Sequence, residues 1–544
     1  MLGKVSVKVN GAEVGAESLL LGVVTSIGGF LFGYDTGQIS QMLIFEDFID
    51  RFAQEQADGT KDWQPIIQSL VVSLMSIGCL IGALSGAYTA DWFGRRKSLT
   101  MAVGVFIVGN VIQITAMRSW VHMMMGRFVA GLGVGSLSVG VPMFQSECAP
   151  REIRGAVVAS YQLMITIGIL VANLINFGVR AIQDQSASWR IVIGLGIFFS
   201  LPLGVGVLSV PESPRWLASR GDWEGAQRSL ARLRGMKDDA GNSLVVDDLT
   251  EMREVLDKEQ QVGTSGWMEC FNPNTSIPKL VYRTFLGMGI HFLQQWTGIN
   301  FFMYYGSTIF KSAGIEDPIK TQLILGAVNV AMTFYGLYVV ERYGRRWPLF
   351  LGAIWQSLWL VVFAAIGTSL PPEDNSTSGI VMIVSACMFI ASFAGTWGPM
   401  AWVVIGETFP LRTRAKQASL ATAANWLGNF MVGFLTPLAT NGISYYYGFV
   451  FAGTNLCAAL VTWFFLYESR TLSLENVDLM YSQPGLKPWT SHKWVPPGYI
   501  TRKQRDEAHF RKLSVSGSAG TEKKQSADGG NGVLDTHVSR EEHV

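Results

Sequence analysis

The sequence predicts an all-α membrane protein with twelve transmembrane helices in two pseudo-symmetric six-helix bundles. Three observations lead there. The first is composition: of 544 residues, 49% are apolar and 12% aromatic, while only 15% are charged, against about a quarter in an ordinary soluble chain. The second is spacing. A hydrocarbon core about 30 Å thick takes roughly 20 mostly apolar residues per helix, and twelve such stretches follow one another with short connections. The third is an internal repeat, described below.

In chain order the spans fall at 18–43, 66–89, 99–117, 121–144, 156–179 and 189–210, then at 284–310, 318–340, 347–367, 379–405, 416–440 and 446–467. Gly 59 and Trp 17 suit this reading, because Gly lets membrane helices approach closely and Trp favours the interface. The polar start, 1–17, has no basic run directly ahead of a short apolar core, so the first span is expected to remain as a helix. Lys+Arg is 42 and Asp+Glu is 41. A nucleic-acid binder needs a surplus of cations to neutralise phosphate, so none is expected as a partner. Cys79, Cys148, Cys270, Cys387 and Cys457 show no metal-ligand spacing and no disulfide framework, and no cofactor is expected.

Orientation follows from the connections. Arg95, Arg96, Lys97, Arg151, Arg154, Arg342, Arg345, Arg346, Arg412, Arg414 and Lys416 all fall on one side with the charged segment 211–283, whereas the other side has only a scatter such as Arg51, Arg118 and Arg180. The positive-inside rule puts both termini and 211–283 in the cytoplasm. The sequon at Asn375 then lies outside, as a candidate for N-glycosylation.

The repeat recurs at an offset of about 250 to 261 residues. Asp91-Trp-Phe-Gly94-Arg95-Arg96 returns as Glu341-Arg-Tyr-Gly344-Arg345-Arg346. Glu147, followed by Arg151 and Arg154, returns as Glu407, followed by Arg412 and Arg414, and Thr36-Gly37 returns as Thr297-Gly298. The organisation is therefore an N-terminal tail 1–17, a bundle 18–210, a cytoplasmic helical linker 211–283, a second bundle 284–467 and a tail 468–544, disordered from about 513. Parallel repeats of this kind place a transporter's site between the halves.

Over about residues 18–475 the chain resembles the sugar porter family of the major facilitator superfamily. The resemblance rests on Gly-Arg-Arg at 94–96 and 344–346, on Pro211-Glu212-Ser213-Pro214-Arg215-Trp216, and on Gln294-Gln295-Trp296-Thr297-Gly298-Ile299-Asn300. With the run from Ser482 to Ile500, the whole chain looks like the glucose and hexose transporters of filamentous fungi. It departs from the family at Glu468-Ser469-Arg470, where a Pro-Glu-Thr-Lys-Gly pattern is usual.

Polar residues inside the spans share helix faces. At 100° per residue, Gln162, Thr166, Asn173 and Asn176 fall within an arc of about 60–80°. Thr422, Asn425, Asn429 and Thr436 share a similar arc, as do Gln322, Asn329 and Thr333, and Ser385, Ser392 and Thr396. Such a face is costly against lipid and lines a cavity or a helix contact. Hydroxyl residues more often join helices. Amides both donate and accept, which suits an uncharged polyhydroxylated ligand. By the resemblance, Gln162, Gln294, Gln295, Asn300, Asn329 and Asn425 are sugar hydrogen-bonding groups, and Trp397 and Trp426 are apolar faces for the ring. Tyr304 and Tyr305 look like an extracellular gate, near a glycine, Gly298, where the helix can bend.

Asp35 and Arg127 are charges inside the membrane, each costing roughly 2.5–3.5 kcal/mol at a helix centre unless paired or wet; a mutual pair is the economical arrangement. In proton-coupled relatives the position of Asp35 carries the proton and that of Arg127 tunes it, but facilitators resemble this chain at Asp35 too, so both symport and uniport stay open. Glu147 and Glu407, with Arg95, Arg154, Arg345 and Arg414, are read as a cytoplasmic gate whose ion pairs join the halves when the carrier faces outward and break when it opens inward. His122 and His291 are assigned no role. In the linker, Ala226, Leu230 and Leu233 at helical spacing predict short amphipathic helices bracing the bundles. Lys523 and Lys524 in the tail are candidate ubiquitin sites.

The expected function is a plasma-membrane hexose transporter, with glucose as its substrate, working by alternating access. A sugar sensor on the same fold is the alternative, disfavoured by a short tail without signalling motifs. No Gly-rich phosphate cradle or nucleophile-base arrangement supports an enzyme.

Overall fold

A computed structural model describes residues 6–9, 12–57, 59–149, 154–235, 243–261, 266–312, 317–370, 376–410, 412–470, 472 and 474–495. The sequon Asn375, Arg151, the tail beyond 495 with Lys523 and Lys524, and the side chain of Arg154 lie outside the described residues.

Strands β1 (Ser6–Val9) and β2 (Ala12–Gly15) pair antiparallel, Ser6 opposite Gly15, ahead of the first membrane helix. The first half is built from α1 (Ala16–Met42), the short helix α2 (Glu46–Phe52), the small ladder β3 (Gln54–Glu55) and β4 (Lys61–Asp62), then α3 (Pro65–Phe93), α4 (Arg95–Ile114), α5 (Trp120–Cys148), α6 (Arg154–Val179) and α7 (Ala187–Ser209). The linker carries α8 (Pro214–Ser219), α9 (Trp223–Leu233) and α10 (Ser243–Gln261). The second half holds α11 (Leu280–Trp296), α12 (Ile299–Ser312), α13 (Pro318–Tyr343), α14 (Arg346–Ser369), α15 (Ser376–Gly395), α16 (Trp397–Thr408), α17 (Arg414–Ile443) and α18 (Tyr447–Phe465), followed by α19 (Leu474–Ser482).

Ten helical runs among the described residues are long and apolar enough to cross a bilayer. The run Arg414–Phe465 has 52 residues, which at 1.5 Å per residue far exceeds a hydrocarbon core of about 30 Å. It reverses at Ser444, whose φ is 49°, and counts as two spans. The seventh span is broken: α11 ends at Trp296, Gly298 takes φ +99°, and α12 restarts at Ile299. Twelve spans result, as expected. The expected single helix at 379–405 is likewise two helices, parted at Thr396 with φ −135° and ψ −81°.

Within the first half, α3 and α4 pack on α5, and α1 on α6; in the second, α11 packs on α17 and α14 on α15 and α18. The halves meet through α3 with α17, α6 with α13 and α1 with α12. The linker touches both: Trp267 stacks obliquely on Tyr88 of α3 at 5.7 Å, and Glu269 meets Arg412 of the second half at 3.0 Å. Its amphipathic helix α9 buries Ala226 and Leu233 as the spacing predicts, and Arg232 ties it to Glu17 at 2.9 Å.

Candidate functional site

The end of the bundle beneath the linker repeats one arrangement in each half. Gly94 and Gly344 take φ +87° and +86°, and a Cβ on either would come within 2.7 Å of a carboxylate oxygen, of Glu212 and Glu468 respectively. Only glycine leaves that room. The freed helix N-termini of α4 and α14 then donate to those carboxylates: the N–H groups of Arg95 and Arg96 to Glu212 at 3.1 and 3.2 Å, and those of Arg345 and Arg346 to Glu468 at 3.1 and 3.1 Å. An anion there also meets the positive end of the helix dipole. The arginine side chains turn the other way. Arg95 grips Glu147 with two bonds of 2.9 Å, and Arg345 grips Glu407 with bonds of 2.9 and 2.5 Å. Ser213 and Ser469 donate to the same two glutamates, at 2.5 and 2.6 Å.

In this structure, closed at the end opposite the linker, Glu147 and Glu407 do not pair between halves; the expectation places such pairs in the opposite state of the cycle. Each is clamped inside its own half, because the arginine of its own Gly-Arg-Arg turn reaches it first with both arms. Arg414 donates to the carbonyl of Phe409, also in its own half.

At the centre, the break in the seventh span lets α11 and α12 aim side chains at α17 and at the start of α16. Asn300 donates to Gln295 at 2.5 Å, Gln295 to Asn425 at 3.0 Å, Asn425 to Gln294 at 2.7 Å, and Gln294 to the carbonyls of Trp397 and Gly398 at 2.9 and 3.1 Å. Four of the predicted amides are thus one relay. Trp397 is fixed through its indole to Leu349 at 2.9 Å. Trp426 lies against Phe32 of the first half at 4.8 Å and donates to Ser138 at 3.2 Å. Gln162 approaches from α6, with a Cβ on Gly398 falling 3.4 Å from its amide nitrogen. Asn329 on α13 has a buried Oδ1 with no partner. The hydroxyls on the same faces mostly bond to their own helices, Thr333 to Asn329 O and Thr436 to Val432 O, which makes them helix fittings.

The end opposite the linker is closed by contacts between halves. Ser76 of α3 donates across the halves to Asn429 at 3.0 Å, and within the second half Tyr304 donates to the same oxygen at 2.9 Å. Tyr305 donates to the carbonyl of Gly433 at 2.6 Å, and both tyrosines are buried. Further out, Ser40 and Ser307 bond at 3.3 Å and Asn173 donates to the carbonyl of Gln322 at 3.2 Å. Outermost, Arg180 and Asp317 form an ion pair at 2.5 Å, with Lys320 also on Asp317 at 3.1 Å. Burial alone would raise the Asp317 carboxyl, but the bonds from Arg180 and Lys320 hold it below the usual range. Toward the linker, the halves meet instead through a ring contact, Tyr161 with Trp402 at 6.0 Å.

Asp35 and Arg127 are each 1% exposed and lie 3.9 Å apart, beyond hydrogen-bond range. Gln38 donates to Asp35 Oδ1, while Asp35 Oδ2 has no hydrogen-bond partner. Arg127 reaches Met75 Sδ at 3.4 Å, and its Nε and Nη1 are unpartnered. His291 packs edge-on against Trp402 at 4.7 Å, and its carbonyl accepts from Asn425 at 3.1 Å.

The sequence reading did not single out Ser76 or Asp317, and it named Asn429, Arg180, Glu212 and Glu468 without the partners the structure gives them. For Glu212 and Glu468 a signal existed: each is followed by serine and stands at the close of its bundle, in step with the repeat.

Among known proteins, the chain is 42% identical over 487 residues to the high-affinity hexose transporter HXT6 of Saccharomyces cerevisiae, covering 87% of this chain and 83% of that one. It is 38% identical over 481 residues to the high-affinity fructose transporter ght6 of Schizosaccharomyces pombe, covering 87% and 88%. Its fold is similar to that of the proton:xylose symporter XylE bound to 6-bromo-6-deoxy-D-glucose, with a TM-score of 0.72, 27% identity, and 86% and 99% of the chains covered. The inward-open xylose transporter XylE of E. coli matches with a TM-score of 0.67 and 27% identity over 85% and 99%. With residues 21–481 matching the model described as "Sugar (and other) transporter", the chain belongs to the sugar transporter family of the major facilitator superfamily.

Proposed function

We propose that the chain carries hexoses across the plasma membrane by alternating access, with the linker and both termini in the cytoplasm. The observation that carries this reading is the relay Asn300, Gln295, Asn425 and Gln294 at the meeting of the two halves. Its amides occupy one another in the structure, yet each has donor or acceptor capacity left for a hydroxyl. No charge stands in the relay, so a neutral sugar meets no ionic penalty there. Gln162 approaches Gly398 beside it from α6, Asn329 on α13 keeps a buried Oδ1 without a partner, and Trp397 and Trp426 offer flat apolar surfaces to the ring. The names of the relatives, hexose, glucose and fructose transporters, support the same substrate class.

With the far end closed, the structure represents the half of the cycle in which the site is cut off from outside. Proton coupling is assigned to Asp35. Its Oδ2 is free to take a proton while Arg127 stands just out of bonding range, and a change in that spacing as the halves rock would change proton affinity with conformation. The similarity to a proton:xylose symporter supports this step.

Labelled glucose uptake in a yeast lacking its own hexose carriers, with and without a protonophore, tests both parts. Uptake is expected, and it is expected to collapse with the protonophore while exchange survives. Protonophore-insensitive uptake would leave a facilitator with Asp35 and Arg127 as a structural pair. A correctly surface-expressed protein without uptake would point to a receptor.

A further inference from the structure

The break in the seventh span parts Gln294 and Gln295 of the sugar relay from Asn300 and the outer tyrosines, so whatever holds it sets how the gate turns. A helix end leaves its last carbonyls without intrahelical donors, and inside a membrane water is not there to supply them. Here a different span does so. Thr454 of α18 donates its hydroxyl to the carbonyl of Trp296 at 2.6 Å, and Asn455 donates to the carbonyl of Thr297 at 2.8 Å. The same face of α18 continues in Phe451, whose ring a Cβ on Gly298 would approach to 2.9 Å. Phe451 lies 5.6 Å from Phe301 of α12 and 4.6 Å from Tyr447, which in turn lies 6.0 Å from Phe301. Residues 447, 451, 454 and 455 follow helical spacing, so one stripe of α18 spans the break. It grips the last carbonyls of α11 by hydrogen bonds and the first turn of α12 by aromatic contact.

We propose that Thr454 and Asn455 are positioning residues for alternating access. They fix the α11 side of the break as a pivot post, against which α12 swings Tyr304 and Tyr305 toward and away from Asn429. Among the described residues neither side chain bonds to a member of the amide relay; both act through the backbone at 296–297. Their hydrogen bonds hold the carbonyls at a fixed angle, while the Phe451 and Tyr447 rings let α12 shift, because ring pairs have more than one favourable arrangement, offset-stacked or edge-to-face, over centroid distances of about 4.5–7 Å. A hydrogen-bonded post beside a greasy bearing is what a hinge requires. The polarity of Thr454 and Asn455 thereby acquires a purpose on a span that otherwise faces lipid and its own bundle.

The proposal rests on the transport reading, and the experiment separates the two. Wild type, Thr454→Val, Thr454→Ser and the double variant Thr454→Val/Asn455→Ala are expressed in the carrier-deficient yeast, and surface protein is quantified for each. Net entry and equilibrium exchange of labelled glucose are then measured. Removing the two donors is expected to lower the maximal rate of net entry about tenfold per surface molecule, with the KM for exchange nearly unchanged. Thr454→Ser keeps the donor and is expected to keep the rate. A rate per surface molecule equal to wild type in the double variant overturns the proposal. So does a Thr454→Ser rate as low as that of Thr454→Val, or a rise in the exchange KM matching the fall in rate. If wild type itself shows no uptake, the transport reading fails and the proposal falls with it.

Discussion

Glu212 and Glu468 hold equivalent posts in the two halves: each accepts backbone N–H groups from two consecutive arginines at the start of a membrane helix, Arg95 and Arg96 in one case and Arg345 and Arg346 in the other. The departure from the family pattern at Glu468-Ser469-Arg470 therefore preserves the two side chains that matter to this junction, the carboxylate and the hydroxyl that reaches Glu407.

Replacing Glu468 by Gln keeps the shape and removes the charge from a helix N-terminus. The loss of charge-assisted bonds is expected to cost about 1–3 kcal/mol. The apparent melting midpoint of the detergent-solubilised protein should fall, and fall by a similar amount for Glu212→Gln. Unequal responses would break the equivalence of the two posts.

Asp317→Asn removes the outermost tie between the halves and is expected to shift the carrier toward the state open at that end. The pH dependence has a definite sign. Because the carboxyl is held low in the closed form, its contribution to closure is complete above the ordinary carboxylate pKa and is lost as pH on that side falls through the lowered value. Labelling of a cysteine placed at Ser40 by an impermeant thiol reagent should rise on acidification in the parent and be insensitive to it in Asp317→Asn.

Asn425 both gives to Gln294 and takes from Gln295. Asn425→Ala should raise the KM for glucose about tenfold or more, since it leaves two buried neighbours short of a partner. Asn425→Gln, one methylene longer, should alter the ranking among hexoses more than the maximal rate. Competition of labelled glucose uptake by fructose, galactose and xylose reads this out.

Gly298→Ala puts a Cβ at φ +99°, against the ring of Phe451. Left-handed backbone costs a non-glycine residue roughly 1–2 kcal/mol, and the ring must also give way. Expression at the surface should drop and the remaining protein should transport slowly. An alanine variant with normal yield and normal rate would mean that the break relocates without consequence.

Much of the architecture was legible in the sequence because a bilayer asks a simple question of each segment. The twelve stretches, the repeat and the amphipathic linker helix at Ala226 and Leu233 are all answers to burial in oil or at its edge. The amides were legible as well, since Gln and Asn are costly in hydrocarbon and must face something. What escaped was partner choice. Nothing in the spacing of Glu147 or Glu407 tells whether an arginine of the same half or the other will reach them, because that depends on a glycine turn folding Arg95 and Arg345 back over their own bundles. Arg180 read as one of a scatter of outer charges; its meeting with Asp317 depends on α6 and α13 packing side by side at that level. Thr454 and Asn455 lay outside the polar stripes first noticed, because their partners are carbonyls freed by a break that only the backbone reveals.

The hydrogen bonds that join the halves at the outer closure use groups that water can imitate: Ser40 against Ser307, Ser76 on Asn429, Asn173 on a carbonyl. Several buried polar atoms beside them, Ser69 Oγ, Ser73 Oγ and Asn429 Nδ2, have no protein partner while the door is shut. Parting the halves thus trades protein bonds for hydration at nearly even terms and offers the idle atoms their first partners.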